Sequence, residues 1–253
     1  MQTACKGVSR ILLTCAGVIS AGKSTLTQIL SDELGTKAFF EPVEDNPVLP
    51  LFYHGNKLVE EGKAETNPYA FLLQVYFLNR RFAMIKKAMQ EDNNILDRSI
   101  YEDSIFMKMN TDQGHATEEE WNIYKSLLDN MLEELPYAAK KKSPDLMIFV
   151  DVNLETMLYR VKKRGRPFEQ VDEDPSLKEY YSTLIDYYAD WKDNYKSSAL
   201  VTIDGNHFDF AENKDHRNQV LDKIESAMVE VGTLSQSDFD RLRSKRYEGV
   251  QAF

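Results

Sequence analysis

Cysteine is nearly absent from this chain of 253 residues: it has Cys5 and Cys15 and no others. Two thiols ten positions apart near the N-terminus make neither a framework of bridges nor a metal spacing, so a reducing cytoplasm is expected. Histidine is sparse as well. His54, His115, His207 and His216 show no ligand spacing with the cysteines, which disfavours a zinc enzyme. Positive charge is in deficit, with 31 Lys and Arg against 41 Asp and Glu and a net charge of −10. Such a field repels polyanions, so neither nucleic acid nor an anionic membrane surface is an expected partner. A small anionic ligand stays compatible where cations gather locally. No apolar run reaches the length of a membrane span. The run Ile11–Ile19, behind Lys6 and Arg10, has the outline of a secretory signal, but it leads straight into Ala21-Gly22-Lys23-Ser24-Thr25 and reads as a buried first strand. Internal repeats and low-complexity linkers are also lacking. The whole chain, 1–253, is expected to be one domain, with a core at about 10–232 and appendages at 1–9 and 233–253.

What is present alternates strand and helix. Short, partly β-branched runs at Ile11–Ala16, Lys37–Phe40, Asn94–Asp97, Asp145–Val152 and Ala199–Asp204 are separated by helical spacing. This predicts an α/β fold with a parallel sheet and helical crossovers. Leu26, Ile29, Leu30 and Leu34 mark a helix closed by Gly35. Phe71, Val75, Leu78, Phe82, Ile85 and Met89 mark a long one between Asn67 and Asp92, and Trp121, Tyr124, Leu128 and Met131 another. Asp174-Pro175 reads as an N-cap and first-turn proline before Leu177, Tyr181, Leu184, Tyr188 and Trp191. Val220, Leu221, Ile224 and Met228 form a last helix that stops at Gly232, and Ser237 is a candidate cap for a short extra one.

Gly17-Val18-Ile19-Ser20-Ala21-Gly22-Lys23-Ser24, followed by Thr25, fits G-x-x-x-x-G-K-[ST] without a gap. Glycines let the backbone curl so that successive N–H groups face phosphate oxygens. The helix that follows adds its positive end to the same anion. Lys23 is placed to neutralise transferring phosphates, and the Ser24 hydroxyl to ligand Mg²⁺. A P-loop alone does not separate switches, motors and small-molecule kinases. No guanine-reading signature of the NKxD or TKxD type follows the fourth strand, which disfavours a switch.

The strand ends carry the acceptor chemistry. Ligands of open α/β sheets lie beyond the carboxyl ends of the strands. Glu41 closes the second strand, where a carboxylate can take a hydroxyl proton. Asp97 and Arg98 close the third, one placed to hold Mg²⁺ and the other to stabilise transferring charge. Between Arg160 and Arg166 five cations fall within seven residues, and Gly165 offers a hinge. That pattern suits a lid closing on a polyanion, and the alternative is a solvated basic helix end. Gln74 and Arg81 stand seven residues apart and project from one side of the long helix beside Leu78 and Ile85. An apolar wall with two polar readers suits a nucleobase; a buried helix with one snorkelling Arg has the same pattern.

The set GVISAGKST, FEPV, DRSIYED and RGRPFEQ, in this order, resembles the deoxynucleoside kinase family, and Asp45–Tyr53 resembles its bacterial purine-directed branch. The likeness covers about residues 10–232. It implies a five-stranded parallel sheet flanked by helices, an Arg-rich lid and a homodimer joined through a helix bundle. It also implies ATP with Mg²⁺ and phosphorylation of a deoxyribonucleoside 5′-hydroxyl. By this likeness Glu41 is the general base and Arg98 orients it, Asp97 lies near the magnesium, and Arg160, Arg164 and Arg166 are the lid arginines. Tyr53 and Glu169 match the pair that holds the sugar 3′-hydroxyl, and Val43 lies against the substrate. Gln74, Arg81 and Asp103 match the readers of the base, and Asp204–Phe210, with Asp209 and Phe210, the loop around the ATP adenine. Leu73 and Met107 depart from the family, standing where some relatives have stacking phenylalanines. A nucleoside monophosphate kinase is the nearest alternative. It would need more arginine than residues 41–74 supply. A non-catalytic relative would be expected to have lost Lys23, Glu41 or Arg98.

Overall fold

A computed structural model describes residues 11–40, 46–90, 92–138 and 143–248. Strand β1, Leu12–Ala16, is buried along its whole length and leads through the P-loop into α1, Lys23–Leu34. Strand β2, Lys37–Phe39, is followed by α2, Leu49–Glu60, and α3, Ala70–Ala88. Strand β3, Asn94–Asp97, runs through a 3₁₀ turn at Ile100–Glu102 into α4, Asp103–Asp112, and then α5, Glu118–Ala138. Next come β4, Leu146–Asp151, α6, Leu154–Arg164, a second 3₁₀ turn at Pro167–Glu169, and α7, Leu177–Asn194. Strand β5, Ala199–Asp204, precedes α8, Lys214–Glu230, and α9, Gln236–Tyr247.

All five strands are parallel, in the order β2-β3-β1-β4-β5. β1 therefore lies between β3 and β4, which explains a strand buried on both faces and apolar but for Thr14. Its edges are pinned by side chains: Asn93 Oδ1 accepts the Ile11 N–H at 3.1 Å, and Asp145 Oδ2 accepts that of Leu12 at 2.7 Å. The chain departs from β1 in both directions, so the crevice at its carboxyl end is the topological switch point. The signal-like outline of Ile11–Ile19 is thus the centre of the sheet and the entry to the P-loop. Among the described residues no helix is long and apolar enough to cross a membrane.

The elements follow the expected patterns with four informative differences. α1 ends as expected at Gly35, whose φ of 64° is a left-handed cap. α3, however, buries Leu73, Gln74, Leu78, Arg81 and Ile85, while Phe71, Val75 and Phe82 are only half-buried. The polar pair turns inward, and the outermost aromatics of the apolar pattern mark the flank. α7 starts at Leu177 with Ser176 as its cap. Asp174 instead closes a turn before it, accepting the Ser176 N–H at 3.2 Å and its hydroxyl at 2.6 Å. β2 ends one residue early, leaving Phe40 exposed. The tail helix is capped by Ser235, whose hydroxyl accepts the Asp238 N–H at 3.1 Å, and Ser237 is not the cap.

α9 lies against α8 and reaches α1. Leu234 and Leu242 are buried, and the Arg246 guanidinium is ringed by carboxylates. It pairs with Glu225, with Asp222 at 3.0 Å and with Glu33 of α1 at 3.3 Å. Burial, reinforced by Glu33 and Asp222, pushes the Glu225 carboxyl up to about 7 against the pull of Arg246.

Candidate active site

The P-loop curls as its glycines allow. Gly17 has a φ of 136°, and a Cβ there would lie 2.6 Å from the Val150 carbonyl oxygen. Gly22 has a φ of 103°, with Phe210 packed 3.0 Å from where its Cβ would be. Neither place admits a side chain. Lys23 Nζ donates to the carbonyl oxygens of Gly17 at 2.8 Å and Val18 at 2.7 Å, so its cation sits inside the loop. Ile19, Ser20, Gly22, Lys23, Ser24 and Thr25 line the mouth of one large cavity, while Gly17, Val18 and Ala21 shape the loop beneath.

Next to it lies the end of β3. The Ser24 hydroxyl donates to Asp97 Oδ2 at 2.5 Å, and Asp97 is buried. A hydroxyl and a carboxylate side by side beneath a phosphate cradle are hard oxygen donors of the kind Mg²⁺ takes together with nucleotide phosphates. Among the described residues no group of three or more His, Cys, Asp and Glu converges as a protein-only metal site. Arg98 has a φ of 75°, unusual for a residue with a side chain and worth about 1–3 kcal/mol of strain. Its N–H donates to Cys15 O at 2.9 Å and Nη1 to the Tyr188 hydroxyl at 3.0 Å, and the guanidinium lies 5.6 Å from the Phe106 ring centre. Burial, reinforced by the neighbouring Glu102, holds the Tyr188 phenol well above its usual range against the pull of Arg98. Burial raises the Cys15 thiol to about 12, so it stays neutral.

The basic segment divides into two. Arg160 is braced, its Nη1 on Ala21 O at 2.5 Å and Nη2 on Gly205 O at 2.7 Å. It ties the P-loop to the loop after β5. Arg164 and Arg166, on either side of Gly165 with its φ of 71°, both hold the buried Glu169 carboxylate, Arg166 at 3.4 Å. Tyr181 donates its hydroxyl to Glu169 O at 2.9 Å. Tyr53 is buried with its ring 5.4 Å from Phe168, and burial holds its phenol neutral. Tyr53, Arg164, Arg166 and Glu169 share one wall of the cavity.

Farther in, Gln74 and Arg81 of α3 face Asp103 at the start of α4. Arg81 Nε lies 2.5 Å from Asp103 Oδ1, and the two side chains are 5% and 4% exposed. Leu73, Phe77 and Phe106 line the same end, whereas Met107 is buried and does not line it. On the opposite side Gly205, Asn206, His207, Asp209 and Phe210 line the cavity beside the P-loop. Phe210 is buried against Gly22, and Asp209 Oδ1 accepts the Glu212 N–H at 3.1 Å. The cavity measures about 1170 Å³ and joins all of these ends. Glu41 and Val43 lie outside the described residues.

Residue-type reasoning passed over Phe77, Phe106, Tyr188 and Glu102. Phe77 has the signal, since positions 74, 77, 78 and 81 share one helical face. Glu102 has one too: Ser99-Ile100-Tyr101-Glu102 is a capping box, and the Ser99 N–H donates to Glu102 Oε1 at 3.0 Å.

Residues 13–230 match the family model described as "Deoxynucleoside kinase". A deoxyguanosine kinase of Lactobacillus acidophilus is 50% identical over 230 residues, covering 91% of this chain and 96% of that protein. A deoxyadenosine kinase of the same organism is 48% identical over 223 residues, covering 88% of this chain and 99% of that one. The structure of deoxyadenosine kinase from M. mycoides with bound dCTP superposes with a TM-score of 0.66 at 30% identity, covering 85% of this chain and all of that one. With a P-loop at the switch point, a five-stranded parallel sheet and these relatives over most of its length, the chain belongs to the deoxynucleoside kinase family.

Proposed function

We propose that the chain transfers the γ-phosphoryl group of ATP to the 5′-hydroxyl of a purine deoxyribonucleoside, deoxyadenosine or deoxyguanosine. One observation carries the reading: a single cavity with a phosphate cradle at one end and a buried Arg–Asp pair at the other. Such a cavity suits a triphosphate and a nucleoside meeting end to end. The names of the relatives, deoxyguanosine and deoxyadenosine kinases, support the purine choice.

In this proposal the P-loop N–H groups, Lys23 and the start of α1 hold the β- and γ-phosphates. Ser24 and Asp97 would hold Mg²⁺, which would neutralise charge on the phosphate oxygens. The loop containing Asp209 and Phe210 flanks the adenine of ATP. Tyr53 and Glu169 hold the 3′-hydroxyl, Val43 lies against the nucleoside, and Gln74, Arg81 and Asp103 read the base. Glu41 takes the 5′-hydroxyl proton as that oxygen attacks phosphorus, and Arg98 orients it. Arg164 and Arg166 close with Gly165 as hinge and add cations to the transferring group, with Arg160 bracing the phosphate loop behind them. The protein acts in the cytoplasm as a single-domain subunit of a homodimer. Leu72 of α3 and Ile123 of α5, apolar and exposed on two helices that pack together, support a partner copy.

The test is a phosphorylation assay over the four natural deoxynucleosides and their monophosphates, each with ATP and Mg²⁺. Turnover of deoxyadenosine or deoxyguanosine is the expected result. Turnover of the monophosphates alone would replace this reading with a nucleoside monophosphate kinase.

A further inference from the structure

Glu102 is buried to the last atom of its side chain and yet is a carboxylate between the two halves of the site. One oxygen, Oε1, accepts the Ser99 N–H at 3.0 Å and closes the turn after β3. The other, Oε2, accepts the N–H of Gly17, the first residue of the P-loop, at 3.2 Å. The same Oε2 lies 3.9 Å from Arg98 Nη1. Tyr188, whose hydroxyl accepts from Arg98 at 3.0 Å, shares a hydrogen bond with Glu102. Two of these partners are conformationally special. Gly17 and Arg98 both have positive φ, at 136° and 75°, and residues so placed persist only where neighbours over-determine them. A cap needs one oxygen of Glu102. The second spans from β3 to β1 and is unexplained by the cap.

We infer that Glu102 is a positioning residue for phosphoryl transfer, locking the first turn of the P-loop to the Arg98 guanidinium. The ATP-side cradle and the acceptor-side arginine then move as one body, so the phosphate and the attacking hydroxyl are presented at a fixed separation. A buried carboxylate suits the task, because a charge-assisted bond to an N–H in a low-dielectric interior is stiff as well as strong. The base and sugar pockets are not built on it. Its loss should lower kcat and leave the nucleoside KM alone. The inference rests on the role given above to Arg98.

The experiment compares Glu102→Gln, which keeps size and one acceptor oxygen, with Ser99→Ala, which weakens the same turn without touching Gly17. At saturating ATP and deoxynucleoside, E102Q should lose about tenfold to a hundredfold in kcat, the worth of one charge-assisted hydrogen bond. Its deoxynucleoside KM should stay within threefold, and S99A should lower Tm with kcat within twofold. A double-mutant cycle with Arg98→Lys gives the readout that a purely structural role would not move. If Glu102 acts through Arg98, the double variant falls no further than the worse single one. Multiplying losses, an E102Q kcat within threefold of wild type, or kcat falls in E102Q and S99A that track Tm alike would each overturn the inference. Wild-type turnover by R98K would refute the role of Arg98 itself, and with it this link, while leaving the kinase reading intact. Tyr188→Phe removes the hydroxyl between the two groups and serves if E102Q does not fold: a kcat loss of at least threefold at unchanged KM supports the link, and no loss sinks it.

Discussion

Replacing Asp103 by leucine is the most informative single change at the base end of the cavity. Arg81 and Asp103 meet at 2.5 Å with side chains 5% and 4% exposed, so each charge is out of water and leans on the other. Removing one partner of a buried pair costs about 3–5 kcal/mol, because the remaining charge keeps its desolvation penalty and loses its Coulombic return. At about 2–4 °C per kcal/mol for a chain this long, D103L should melt roughly 6–20 °C below wild type. The double variant Arg81→Leu with Asp103→Leu removes both penalties and should recover most of that loss, because apolar pairs of similar volume often equal or exceed a buried ion pair. Specificity should move differently. Thymine offers a carbonyl and a methyl where a purine presents an amino group or a ring nitrogen. It gives Asp103 no N–H and crowds Arg81. A mismatch of that kind costs about 1–3 kcal/mol, or roughly one to two decades of kcat/KM. The double variant should therefore raise thymidine relative to deoxyguanosine by about that factor. Thermal melts and a steady-state assay with both nucleosides check the two halves. Equal melting losses in the single and double variants would refute the buried-pair argument, and thymidine as the best wild-type substrate would refute the assignment of the base readers.

Glu41→Gln should leave nucleoside binding near normal and lower kcat by about two to four orders of magnitude, the usual worth of a positioned base; turnover within threefold of wild type would remove Glu41 from that role. A deoxynucleoside triphosphate should inhibit by placing base and sugar in the acceptor pocket and its phosphates back on the P-loop, since one cavity joins the two ends. Competition with the deoxynucleoside is required, and purely noncompetitive inhibition would sink the idea. Glu225 gives a pH signature. Folded, it keeps its proton to about 7 against an ordinary value of 4.5, so the folded state binds more protons across that window. Stability is then highest below the window and declines as pH rises through it. Wild-type Tm should fall between about pH 5 and 8, and Glu225→Gln should remove most of that slope; an unchanged slope would assign it elsewhere.

The fold was legible where period and punctuation coincide. The run Ile11–Ile19 offers a signal outline and a buried strand, its continuation into the P-loop decides for the strand, and β1 lies buried between β3 and β4. Leu177, Tyr181, Leu184 and Tyr188 declared their face correctly because α7 offers the core one stripe. On α3 the apolar stripe of Phe71, Val75 and Phe82 competes with the side that carries Gln74, Leu78, Arg81 and Ile85, and the second is the buried one, a choice hydrophobicity does not make. Lys23, Ser24, Asp97 and Arg98, close in sequence or at a strand end, line the cavity as their spacing leads one to expect. Contacts made through a crossing are not legible in this way: Glu102 reaches Gly17, 85 positions away, and Arg160, expected as a lid arginine, braces Ala21, 139 away. Such contacts require the strand order, and local spacing does not contain it. The capping box at Ser99 and Glu102 was readable as a turn, but nothing in it announced a second use for the carboxylate.

The strand order also sets a timetable for the nascent chain. β1 is the first made of the described strands and is buried along its whole length, yet its two neighbours are β3 and β4. Leu12 finds the Asp145 side chain that fixes its edge 133 positions later. At about 5–20 residues per second, the ribosome leaves that apolar strand without its second neighbour for on the order of ten seconds. Parallel pairing of distant segments is slow to begin with, and a naked apolar strand is a template for association with other chains. Yield of soluble enzyme should therefore depend on translation speed and on chaperones that hold the first strand, more than on the stability of the finished fold.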